Sequence, residues 1–200
     1  MTTPEEAVRK YLKGIGAIPK EDPPQATPAF EVLREIELKR KMETILRPAV
    51  RKFKTYLEIK GFITRVYEYS PNSIIVDFHD PDLEVELMEV AGRLNHLKGE
   101  RYASIQTRGS IEFSIYNDEY VVRGDIPVSM LRPIHPSEEF WRETIKEEKP
   151  ADITEVHLHM WDHKPAVHIH VEGKNVDPTK LAHFITRIRD ISKRFLTERR

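Results

Sequence analysis

Residues Val156 to Val171 read "VHLHMWDHKPAVHIHV", two runs of apolar–polar alternation on either side of the break Asp162-His163-Lys164-Pro165. A period of two marks a half-buried strand, and two such runs around a short Pro-containing loop predict a β-hairpin. With the loop at 162–165, His159 faces His168, Leu158 faces Ile169 and His157 faces His170. Alternate residues of a strand share a face. All four of these histidines therefore fall on one side, and Val156, Leu158, Met160, Val167, Ile169 and Val171 on the other. The apolar side needs a layer to close against, and the helix-period run "DPTKLAHFITRIRDISKRFL" that follows supplies one.

The same order of elements occurs earlier in the chain. "ITRVYEYS", the turn "PNS" and "IIVDFH" predict a hairpin, and "DPDLEVELMEVAGRLNHLKG" predicts a helix with Asp80 or Asp82 as its cap and Gly99 as its end. Residues 62–99 and 152–197 thus read as two ββα units, related as possible repeats. Between them, residues 101–126 carry two or three strands, with turns expected at Arg108-Gly109-Ser110 and at Tyr116-Asn117-Asp118. Arg123-Gly124-Asp125 reads as another turn, and "HPSEEFWRETIKEE" as a short helix capped by Ser137.

Residues 1–28 form a separate arm, a helix opened by Thr3 and Pro4 and then the Pro-rich linker Ile18 to Pro28. Residues 29–200 form the body. Its first part, 29–60, has apolar residues at three- and four-residue spacings from Leu33 to Leu57, interrupted by Pro48. Either one helix kinks there, or one ends near Leu46 and a second starts with Pro48 in its first turn. The expected fold class is α+β: mostly antiparallel sheet covered by helices, with an N-terminal helical arm.

Composition removes several function classes. The 200 residues contain no cysteine, which excludes disulfides, thiolate metal sites and cysteine nucleophiles. Net charge is −1, too balanced for a chain built mainly to neutralise phosphates. No apolar run approaches the roughly 18–20 residues of a membrane span, and the N-terminus lacks a secretion signal, so the expectation is a soluble, cytoplasmic protein without membrane contact. High charge, few glycines and many prolines suit a thermostable chain. Phosphate-binding and nucleophile-elbow glycine motifs do not occur.

Three functional readings follow. The leading one is a non-enzymatic assembly subunit with protein partners, self-associating into a homo-oligomer. Tyr67, Tyr69 and Trp161 are its interface candidates, because such side chains bury much area at low entropic cost. Tyr116, Tyr120 and Phe140 also fall at strand ends or in a short helix, and this reading expects no cofactor. The alternative is a metal-binding protein or metal-dependent enzyme in which His157, His159, His168 and His170 hold Zn²⁺ or another divalent transition metal. Opposed Cβ atoms about 4.5–5.5 Å apart permit imidazoles to converge on one ion. The third is nucleic-acid binding through Arg47, Arg51, Lys52, Arg187 and Arg194. Residues 29–60 hold nine basic against five acidic side chains, and 180–200 hold seven against two. The rhythm of "HIHVEG" (His168 to Gly173) resembles that of the histidine-triad nucleotide hydrolases and transferases. It departs from them at Glu172, where a third histidine or a glutamine belongs, and no function is carried over.

Overall fold

The computed structural model describes residues 28–86, 88–89, 108–116, 119–129, 138–160 and 166–197. Within these, the side chains of 28–30, 128–129, 138, 157–160, 166–167 and 195–197 fall outside the description. The chain divides into two compact units, Met1–Lys39 and Arg40–Arg200. In the first, helix α1 (Pro28–Lys41) leaves Val32, Leu33 and Ile36 exposed.

In the second unit a π-helical turn, Met42–Leu46, leads into α2 (Arg47–Ile59), with Pro48 in its first turn. Pro48 does fall in a first turn, as one of the two expectations had it, but no helix ends near Leu46: the backbone is helical throughout, with Lys41, Leu46 and Arg47 all keeping helical dihedrals. Proline has no N–H and crowds the carbonyl four residues back. The wider turn accommodates this, with the Arg47 N–H bonding to the Met42 carbonyl. Met42, Leu46, Ala49, Val50, Phe53 and Leu57 form the buried stripe.

Six strands follow: β1 (Ile63–Ser70), β2 (Ser73–His79), β3 (Arg108–Tyr116), β4 (Glu119–Ser129), β5 (Ile153–Met160) and β6 (Ala166–Lys174). They form one antiparallel sheet in the order β1-β2-β3-β4-β6-β5. The β1–β2 hairpin sits at one end and β5–β6 at the other, each with its first strand outermost. Asp80-Pro81 and Asp177-Pro178 follow β2 and β6. Asp80 Oδ1 accepts from the Leu83 N–H at 3.0 Å, and Asp177 Oδ1 from the Thr179 N–H at 2.8 Å. An aspartate cap with proline in the first turn thus starts both helices. The second of them is α4 (Pro178–Thr197); α3 (Glu138–Glu148) precedes β5.

One face of the sheet makes the core. Ile74, Val76 and Phe78 of β2, Ile111, Phe113 and Ile115 of β3, Val122 and Ile126 of β4, and Ile169 and Val171 of β6 are buried. Phe53 of α2 meets Phe78 and Phe113 edge-on, with ring centroids 6.2 and 5.1 Å away. Leu181, Phe184, Ile185, Ile188 and Ile191 form the buried stripe of α4, and Trp141 and Ile145 that of α3. Arg187 of α4 bonds Glu148 of α3 at 2.9 Å. Among the described residues no helix is long and apolar enough to cross a membrane.

Two glycine-based expectations are overturned. Arg108-Gly109-Ser110 is no turn but the start of β3, and Arg123-Gly124-Asp125 lies inside β4, paired on both sides. The glycines are there for close approach. A Cβ on Gly124 would stand 2.1 Å from the Ser110 carbonyl oxygen, and one on Gly109 would stand 2.2 Å from the Phe78 ring. β4 also runs beyond Ile126, through Pro127 to Ser129. Its described ladder with β3 ends at Ser110↔Asp125, so Pro127 falls where β4 pairs with β6 alone and an N–H is not needed on the other side.

Candidate functional site

The histidine hairpin folds in the expected register: His157 pairs His170, Leu158 pairs Ile169, and His159 pairs His168. Register here is set locally by the loop and by the apolar alternation, because a one-residue slip would turn every side chain over. The expected Trp161 pairing lies outside the described residues. Across the sheet, β6 meets β4, and Asp125 stands opposite His170. Asp125 Oδ1 lies 3.0 Å from His170 Nδ1 and 3.6 Å from His168 Nε2. A carboxylate against a ring nitrogen favours the tautomer that carries its proton there, which orients the imidazole. Among the described residues no three His, Asp or Glu converge into a metal-holding group; the side chains of His157 and His159 are not among them.

The rest of that face mixes opposed charges with neutral positions and one like-charged pair, Glu155 opposite Glu172. One row runs Arg65, Asp77, Ser110, Asp125, His170, and the next runs Tyr67, Ile75, Glu112, Arg123, Glu172. Opposite charges directly across a ladder stabilise a sheet by a few tenths of a kcal/mol up to about 1 kcal/mol each.

The second feature is β1. Among the described residues it has a strand neighbour on one side only, β2. Its apolar side chains are open on both faces: Val66 at 39% exposure on the helix side, and Ile63 at 52% and Tyr67 at 38% on the other, with Tyr69 exposed at the bulge. Its polar side chains are tied to the helical layer. Arg47 donates to Glu68 at 2.5 Å, and Thr64 donates to Glu58 at 2.7 Å. The bulge between Glu68 and Ser70 follows the regular stretch 63–68. Of the interface candidates, Tyr67 and Tyr69 thus share an edge strand, Trp161 is outside the described residues, and Tyr120 is a buried core residue.

Among the described residues the basic candidates differ in their partners. Arg47 is shared between Glu43 and Glu68, and Arg187 is held by Glu148. Arg51 and Lys52 are exposed on α2, and Arg194 on α4. Two residues of structural importance escaped the sequence reading. Asp125 hid inside an apparent turn. Arg189 looked like one of many basic positions, yet it bonds Asp80 at 2.8 Å and lies 4.6 Å over the Phe62 ring. No known protein family matches the chain, and no curated protein or solved structure does.

Proposed function

We propose that this chain is a non-enzymatic assembly subunit that associates with copies of itself. The observation that carries the reading is β1, an edge strand with apolar and aromatic side chains open on both faces. Edge strands are ordinarily blunted by lysine, proline or a covering element, because their free N–H and C=O groups template pairing with another chain. The stretch Ile63 to Glu68 has neither lysine nor proline; its charges are Arg65 on the open face and Glu68 on the helix side, the latter paired with Arg47, and its bulge comes only after Glu68. The uncovered Val32, Leu33 and Ile36 of α1 add a second apolar surface of the kind that docks on a neighbour. Sedimentation velocity over about a hundredfold range of concentration tests the reading, since mass action makes association concentration-dependent. A growing mass is expected. A monomer at every concentration, with or without residues 1–28, sinks it.

A second reading has its own support in the pairing of His157 with His170 and of His159 with His168, beside Asp125. In it the hairpin face takes Zn²⁺ or a similar ion through imidazoles braced by that carboxylate. Metal content of untagged protein decides it. If the double change His159→Ala and His168→Ala alters neither metal content nor folding, the reading fails.

A further inference from the structure

Edge pairing between identical strands obeys a parity rule. Residues directly opposite in an antiparallel ladder point to the same face, and a twofold axis normal to the sheet maps each face onto itself. The axis must therefore pass through a residue, so residue i opposes residue j only when their sum is even. The regular part of β1 holds six such centres, 63 to 68, of which those on Ile63 and Thr64 lie at its start and leave most of the stretch unopposed. Centring on Arg65 or on Glu68 sets two like charges face to face, a destabilising arrangement. Centring on Tyr67 sets Val66 against the charged Glu68 of the second copy. Centring on Val66 opposes Val66 to Val66, Thr64 to Glu68 and Arg65 to Tyr67.

We propose that two copies of the chain join through β1 in the antiparallel register centred on Val66, merging two six-stranded sheets into one of twelve. Every opposed pair of the regular stretch is chemically matched in this register: aliphatic on aliphatic, hydroxyl on carboxylate, guanidinium on aromatic ring. Arg65 already stands 6.0 Å from the Tyr67 ring of its own strand, so the second copy's Tyr67 gives its guanidinium a second aromatic face. Glu68 enters with its charge balanced by Arg47, which lowers the cost of covering it. The ladder supplies affinity through main-chain bonds, and the side-chain pairs set the register. The contact is isologous and closes at two copies. This proposal rests on self-association and adds its surface and register to it.

The chain has no cysteine, so a single introduced thiol reports one position. In the proposed register the two Val66 Cβ atoms lie about 4.5–5.5 Å apart, while the two Thr64 positions lie roughly 13 Å apart. Val66→Cys should give a covalent dimer with a bis-maleimide too short to span the latter distance. Thr64→Cys alone should not, nor Glu68→Cys alone, but a mixture of those two proteins should cross-link one to the other. Val66→Lys, with circular dichroism unchanged, should lose the dimer in sedimentation. Cross-linking through Tyr67→Cys in place of Val66→Cys overturns the register. A concentration-dependent dimer that Val66→Lys leaves intact overturns β1 as the surface while sparing self-association. A monomer throughout overturns both.

Discussion

Asp80 shows how one residue ties three layers together. Only 4% exposed, its carboxylate takes the Lys193 ammonium and the Arg189 guanidinium, each at 2.8 Å, and caps Leu83. Burial pushes its pKa up, but the bond from Lys193, the Leu83 N–H and Arg189 outweigh this and hold it below the ordinary 3.8. Because the folded value is the lower one, the stabilisation is complete above the unfolded value and drains away as pH falls through the folded value. Asp80→Ala takes one partner from Arg189, which keeps Asp190 and the Lys60 carbonyl, and one from the partly exposed Lys193, and should cost about 1–3 kcal/mol in urea unfolding at neutral pH, with the gap to wild type narrowing in acid. Tyr120 is the opposite case. Its hydroxyl is buried without a hydrogen-bond partner among the described residues, and its pKa is driven upward by burial first and by Asp177 second. Tyr120→Phe removes a group that contributes only a desolvation cost, so unfolding should show unchanged or higher stability, by up to about 1–3 kcal/mol. Gly124 permits no such freedom. Gly124→Ala forces β3 and β4 apart at the Ser110 carbonyl and should cost about 1–3 kcal/mol.

Among the elements, those whose partners are near in sequence were legible. The β5–β6 register follows from a loop and an alternation, and both Asp-Pro helix starts follow from capping chemistry. The glycine-containing stretches of β3 and β4 were not, because glycine serves a turn and a tight backbone contact equally well, and only the neighbouring strand distinguishes them. The same limit hid Asp125. Its histidine partner lies 45 positions along the chain, brought near by the β4–β6 pairing that nothing local announces. β1 provides a test at this scale. Val66 is half-open, so Val66→Lys should shift the unfolding free energy of the monomer by no more than about 0.5 kcal/mol, the usual range for surface positions. A large loss would mean that Val66 belongs to the monomer's core.

For the molecule as a whole, the α+β class and the helix-covered antiparallel sheet were readable from periodicity alone, whereas the strand order was not. That order makes the sheet one continuous hydrogen-bonded object from β1 to β5, with Trp141 buried in α3, which precedes β5. In a Trp161→Phe variant, Trp141 fluorescence and far-ultraviolet circular dichroism should trace coincident transitions on urea unfolding, as for one cooperative body. Separate midpoints would reveal two.

The two ends of the sheet differ in a way that bears on what the molecule must avoid. At β5 the pairing with β6 shifts between Ile153 and Glu155, at the start of the strand, and at β1 the pairing with β2 shifts between Glu68 and Ser70, at its end. If both ends accepted strands, a β1 could meet the β5 of another copy, and nothing would stop such a chain of sheets from lengthening into a fibre. In the proposed register the β1 of one copy covers the β1 of the other, so growth ends in a single step unless β5 also accepts a strand.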